Sequence, residues 1–186
     1  MMRRIFLLIL VAMLFVGCGK KEGPIDNQNN DNPKQEENQS DDKQDSTDKE
    51  PSGYAFEHNS VSIFMNTDVA PVIASLGEAM HYFEAESCAF KGLDKVYTYP
   101  GFEITTYPLD DKDYVSAINV MDDTVSTPEG IYLGASVNDM IAAYGDNYIE
   151  STGSYTYTKD DSKLQFIAVD DAITAITYLA EVEGLE

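Results

Sequence analysis

The chain has 186 residues, of which 33 are Asp or Glu and 12 are Lys or Arg, giving a formal net charge of -21. So large an acidic excess excludes a nucleic-acid binder, because neutralising phosphates needs clustered Lys and Arg. Two cysteines and two histidines exclude a disulfide-dense scaffold and a His-rich metal site, so no metal and no cofactor is expected.

At the start, Arg3 and Arg4 precede an apolar run from Ile5 to Val16, and Gly17 and Cys18 follow directly. A basic, an apolar and a small-residue region in that order read as an export signal over 1–17. As a helix the run would reach about 18 Å against roughly 30 Å of hydrocarbon, too little for a transmembrane span. Leu14-Phe15-Val16-Gly17-Cys18 resembles a bacterial lipoprotein lipobox, with Phe15 where that family usually has Leu. The resemblance implies that Cys18 is lipidated and that the protein is anchored at the extracytoplasmic face of a bacterial membrane.

From Lys20 to Gly53, Asn, Gln, Asp, Glu, Lys and Ser dominate, with Ile25 the only large apolar side chain. A segment that polar cannot bury enough surface to offset its ordering entropy, so 18–53 is expected to be the lipidated cysteine and a disordered acidic tether. A flexible chain of that length spans roughly 30 Å. The Gly19-Lys20-Lys21 start followed by such a tether resembles lipoproteins of Gram-positive cells.

The remainder repeats itself. At a shift of 68, Ile63, Val69, Ile73, Ala74 and Gly77 recur as Ile131, Val137, Ile141, Ala142 and Gly145. At a shift of 58, Tyr97-Thr98-Tyr99 recurs as Tyr155-Thr156-Tyr157, and Val115-Ser116-Ala117-Ile118 as Ile173-Thr174-Ala175-Ile176. The shift falls because the first copy carries an insertion around His81 to Phe90, so the copies are expected to be 54–128 and 129–186. Asp68 and Ser136 are placed as N-caps, with Asp139 completing a capping box in the second copy. Val69, Val72, Ile73 and Leu76 make one apolar stripe, and Val137, Met140, Ile141 and Tyr144 make another. Gly77 and Gly145 mark the helix ends.

Alternating β-rich runs follow each helix. They are Lys95 to Tyr99, Phe102 to Tyr107 and Tyr114 to Met121, then Ser154 to Thr158, Lys163 to Val169 and Ala172 to Leu179. Pro100-Gly101, Asp110-Asp111, Asp160-Asp161 and Asp170-Asp171 supply the turns. Extended pieces are expected before the helices, at Val61 to Met65 and Ile131 to Leu133. The fold class expected is α+β: two tandem copies of a short helix plus a three-stranded antiparallel meander, with the helices on one face of the sheet.

These units, with the turn Leu133-Gly134-Ala135-Ser136 before one helix and Ala143-Tyr144-Gly145 after it, resemble the β-lactamase-inhibitor-protein-like repeat. They are also similar to small envelope lipoproteins of the outer-membrane assembly family. The resemblance covers about Val61 to Ala180 and implies a binding surface on the exposed face of the sheet. The inhibitor's disulfides and tryptophans have no counterpart here, so β-lactamase inhibition is not carried across.

His58 and His81 lie near no Ser or Cys nucleophile motif and read as surface or packing residues. Cys88 has no flanking signature and reads as a small buried residue. The Asp pairs, Asp122-Asp123 included, fall at strand ends and lack the spaced calcium-loop pattern, so they read as turn formers. Tyr97, Tyr99, Tyr107, Tyr155 and Tyr157 are the binding candidates, since a rigid ring with a polar tip suits an interface. The same rings could instead complete a core without tryptophan; Glu103, Thr105, Gln165 and Ile167 on the opposite face are then the next candidates. The expected protein is a non-enzymatic binding module with a membrane contact through Cys18 and a protein or cell-envelope partner, basic in character given the acidic domain; the alternative is a structural envelope-assembly factor, and behind it a hydrolase or calcium-binding domain.

Overall fold

The computed structural model describes residues 50–182, so the signal segment 1–17, Cys18 and residues 18–49 of the tether lie outside the described residues. Strands β1 (Ala55–His58) and β2 (Val61–Phe64) form a hairpin, and α1 (Val69–Leu76) follows. Next come β3 (His81–Glu86), β4 (Leu93–Tyr99), β5 (Phe102–Leu109) and β6 (Lys112–Val120). After α2 (Val137–Tyr144) the chain forms β7 (Ile149–Ser151), β8 (Ser154–Lys159), β9 (Ser162–Val169) and β10 (Ala172–Ala180).

The helices start and stop where their side chains supply the unmet backbone groups. Asp68 accepts the Ala70 N–H at 3.0 Å, and Ser136 with Asp139 forms a reciprocal capping box. Each helix closes on a glycine with positive φ, 84° at Gly77 and 83° at Gly145, whose N–H donates to Ile73 O and Ile141 O. Helices of eight residues are marginal alone, so they depend on the sheet beneath them, reached through Val69, Val72 and Met140.

The expected α+β arrangement of two helix-plus-three-strand copies is overturned. The protein is mostly β, with one eight-stranded antiparallel sheet in the order β3-β4-β5-β6-β10-β9-β8-β7 and only two short helices among the described residues. The insertion at His81 to Glu86 is itself a strand, β3, and Ile149–Ser151 forms the opposite edge, β7. Pairing of β6 with β10 then joins the two meanders into a single sheet. The extended pieces before the helices also differ. Val61–Phe64 pairs with β1 in its own two-stranded sheet, while Ile131 to Leu133 forms no strand.

Aspartates close the hairpins. Asp110, Asp111, Asp170 and Asp171 all have positive φ, as two-residue primed turns require, and Asp160 joins them at 53°. Asp122 instead accepts the Thr124 N–H at 2.9 Å in the segment leading away from β6.

The core lies between one face of the sheet and a layer made of α1, α2 and the β1–β2 hairpin. Phe56 of the hairpin meets Phe102 at 4.9 Å and Tyr178 at 5.8 Å between ring centroids, which seats the hairpin over the middle of the sheet. Ile104, Ile118, Leu164, Phe166 and Ile176 are fully buried around it. Each contributes about 1.5–3 kcal/mol by leaving water.

Candidate functional site: the open face of the sheet

Side chains alternate across a strand, so the buried set determines the other face by subtraction. Phe102 and Ile104, Ile118 and Val120, Leu164 and Phe166, and Ile176 and Tyr178 point under the helices and hairpin. Among the described residues no element covers the other side. There the pairing register lines up one residue from every strand: His81, Thr98, Glu103, Asn119, Thr177, Gln165, Thr156 and Ile149.

This row is polar at its centre and tied together across strands. Thr177 donates to Asn119 Oδ1 at 3.2 Å, Gln165 Nε2 donates to Thr156 Oγ1 at 3.3 Å, and Thr98 donates to Glu103 Oε2 at 3.5 Å. Beside it, Thr105 and Ser116 share a hydrogen bond of 2.9 Å. Apolar side chains flank the polar band on the same face: Phe83 (64% exposed), Ile149 (72%) and Ile167 (38%). In the row Glu103 is the only carboxylate, so the row offers amide and hydroxyl groups and a single fixed negative charge.

The five tyrosine candidates sit on the other side or inside. Tyr99, Tyr107 and Tyr157 are 5%, 4% and 2% exposed, which corrects their assignment as surface anchors. Their hydroxyls are also occupied. Tyr99 donates to Gly77 O at 3.1 Å and Tyr157 to Gly145 O at 2.8 Å, so each ring latches the last carbonyls of one helix to the sheet. Tyr107 donates to Asn66 Oδ1 at 3.1 Å. Burial pushes Tyr107 and Tyr157 up to about 12. Tyr97 and Tyr155 are half-buried at the margins of the covered face, each against another ring at 5.1 Å, Tyr82 and Tyr148 respectively.

Of the opposite-face positions, Glu103 and Gln165 fall in the row, and Thr105 and Ile167 beside it. Sequence reasoning missed Thr98, Asn119, Thr156, Thr177 and Ile149, and it gave His81 a surface or packing role without placing it on this face. The signal was present: Thr98 matches Thr156, and Asn119 matches Thr177, at the same shift of 58 that relates the tyrosines.

Cys88 is exposed in the connection between β3 and β4, not buried; that connection turns locally, with Ser87 Oγ accepting the Phe90 N–H at 3.2 Å. His58 stacks near Phe102 at 4.8 Å and shares a hydrogen bond with Asn59 Nδ2 at 3.0 Å.

No protein-family model matches the chain, and no curated protein matches it. One solved structure, an extracellular protein containing a SCP domain from Bacillus anthracis str. Ames, is similar at 13% identity and a TM-score of 0.37. The match covers 63% of this chain and 44% of that one, so this chain spans less than half of the other protein's length. Likeness at that level assigns neither family nor activity.

Proposed function

We propose that this protein is a membrane-anchored, extracytoplasmic lipoprotein that acts as a binding module, not an enzyme, and engages a protein partner through the open face of its sheet. The observation that carries this reading is the eight-residue row, one side chain per strand, laid across a face that no described element covers. Its amides and hydroxyls, flanked by exposed Phe83, Ile149 and Ile167, combine apolar contact area with hydrogen-bonding groups, as interface cores and rims do. The resemblance of the helix turns to the β-lactamase-inhibitor-protein-like repeat supports the same use of a sheet face. The lipobox-like segment ending at Cys18 supports the anchor.

Two variants test the two halves of the reading. Cys18→Ser should move the protein from the membrane to the soluble fraction, since the acyl chains of a mature lipoprotein supply the attachment. Asn119→Lys with Thr177→Lys should abolish cross-linking to the native partner on intact cells while the melting temperature of the purified domain stays within about 2 °C of the parent. Partner capture unchanged by the double substitution refutes the open-face assignment. Membrane retention of the Cys18 variant after signal cleavage refutes the anchor.

A further inference from the structure

The sheet ends in two free strands that the sequence copies build differently. Strand β7 has three residues and β3 has six, the extra length coming from the insertion that the first copy carries. Short length, lysines, prolines and bulges are what keep a sheet edge from pairing with another chain. Strand β7 uses the first of these devices. Strand β3 uses none: its six residues include neither Lys nor Pro, and its register with β4 runs unbroken from His81 opposite Thr98 to Glu86 opposite Leu93. All six are exposed, and Tyr82 (53%), Phe83 (64%) and the preceding Met80 (56%) make the edge apolar.

The outer side of β3 presents backbone groups in a fixed pattern. Ser87 N–H donates to Gly92 O at 3.0 Å, in the same register as the strand pair. Antiparallel bonding alternates, so the odd-numbered residues turn their N–H and C=O to β4, and Tyr82, Glu84 and Glu86 turn theirs outward. The central carboxylate of this edge is already countered within the chain. Tyr82 donates its hydroxyl proton to Glu84, and Lys95 stands across from Glu84 in the β3–β4 register. The edge therefore offers backbone bonds and aromatic area, and Glu84 is not left for a basic strand to meet.

We propose that β3 pairs antiparallel with β3 of a second copy of this chain, about a two-fold axis that passes through Phe83 and runs normal to the sheet. Such an axis keeps the open faces of both copies on one side, so only residues that share a face can stand opposite each other. Outward-facing backbone groups must also meet. Centred on Phe83, the pairing sets Tyr82 opposite the partner's Glu84 and Glu84 opposite the partner's Tyr82, with two N–H···O bonds at each pair. The Phe83 rings then meet at the non-hydrogen-bonded position, where side chains approach most closely. Centring on Glu84 also satisfies the backbone, but it sets carboxylate directly against carboxylate, which is unfavourable. Centring on Tyr82 sets Glu84 opposite the partner's Met80, a residue whose N–H is already taken by Thr98 O at 2.9 Å. The edge is its own complement in one register, which singles out a second copy as the occupant over an unrelated strand. Two eight-stranded sheets become one with a continuous open face, an arrangement that goes beyond the open-face reading and does not depend on it. Residues 54–186 carry 23 acids and 5 lysines, so the copies repel at long range and short-range contacts must hold them.

Sedimentation equilibrium of residues 18–186 tests the pairing, with Cys18→Ser and Cys88→Ser so that no exposed thiol links the chains. A monomer–dimer equilibrium between about 10 µM and about 1 mM is expected, as suits a small interface. It should be tighter in about 300 mM than in about 50 mM NaCl, because salt screens the repulsion between the copies. Phe83→Lys places the usual edge-protecting residue at the axis and should weaken dimerisation about tenfold or more. Its melting temperature should stay within about 2 °C of the parent, since Phe83 is exposed. In the same background, Phe83→Cys should oxidise to a covalent dimer about tenfold faster than Glu84→Cys or Ala85→Cys, because only residue 83 faces itself across the axis. A monomer at every concentration and salt, even one that captures another protein through this edge, overturns the proposal. So does a dimer indifferent to Phe83→Lys, association that weakens as salt rises, or cross-linking as fast at Glu84→Cys or Ala85→Cys. The Asn119→Lys/Thr177→Lys variant should dimerise like the parent, so failure of the open-face reading and failure of this one are distinguishable.

Discussion

Tyr157 gives the sharpest test of which side of the sheet is core. The ring is 2% exposed and lies within 5.4 to 6.1 Å of Tyr144, Tyr148 and Phe166, centroid to centroid. Truncation to Ala removes a ring from a packed site that can relax only partly, and large aromatic truncations of this kind cost about 3–5 kcal/mol. Tyr157→Phe keeps the ring and loses only the hydrogen bond to Gly145 O. Because Gly145 is exposed, its carbonyl regains water, so the loss falls near the low end of the usual range, about 0.5–1 kcal/mol. A domain of this size holds about 5–15 kcal/mol in total, so the alanine variant should surrender about a fifth or more of it. Urea denaturation followed by far-ultraviolet circular dichroism, with the slope fixed by the parent, reads both values. Tyr155→Ala, on a half-buried ring at the margin, serves as the comparison at about 1 kcal/mol. If Tyr157→Ala unfolds within about 0.5 kcal/mol of the parent, the assignment of the tyrosine face to the core is wrong.

Other outcomes follow from the caps, the turns and the titrating groups. Asp68→Ala should cost about 1 kcal/mol through loss of the N-cap, read by the same denaturation assay. Its carboxylate is held below the usual range chiefly by the Ala70 N–H, with Lys112 adding to it. The stability it contributes is therefore present above the unfolded value near 3.8 and is lost as pH falls through the lower folded value, a loss that Asp68→Asn should flatten. On the alkaline side, Tyr107 and Tyr157 should resist ionisation until about 12 in a near-ultraviolet titration. Because their folded values are raised, the stability they contribute is full below pH 10 and is lost as pH rises through about 12; a single step near 10 for all rings would contradict their burial. Gly53→Ala should cost about 1–3 kcal/mol, since Gly53 has φ 93° and an added Cβ would stand 2.3 Å from Ser162 Oγ, the atom that accepts the Tyr54 N–H.

Local signals were legible where the chemistry is local. Asp68, Ser136 and the two glycines define helices that need only their own caps and stripes, and the Asp-Asp turns are set by residues that tolerate positive φ. Strand β3 was hidden because all six of its residues are exposed, so no buried alternation marks it. The join between β6 and β10 was hidden for a different reason: Asn119 pairs with Thr177, 58 positions away, and nothing in either segment declares a long-range partner. That single pairing turns two meanders into one sheet. The binding candidates failed at one step. Alternation shows which residues share a face, and it placed Tyr97 with Tyr99 and Tyr155 with Tyr157, but parity cannot say which face the helices will cover. The internal match at a shift of 58 marked the tyrosines and their neighbours Thr98 and Thr156 equally.

The row across the open face reads almost the same from either end. Around the Asn119–Thr177 pair, Glu103 stands opposite Gln165, Thr98 opposite Thr156, and His81 opposite Ile149. A partner arriving on this face therefore meets nearly the same pattern of amides and hydroxyls after a half-turn about the sheet normal. Three exchanges tell it which way round it lies: an amide against a hydroxyl at the centre, a carboxylate against an amide, and an imidazole against an aliphatic side chain. Orientation of the bound partner is thus encoded in few atoms, and Glu103→Gln, which erases the one difference in charge, should narrow the preference between the two poses.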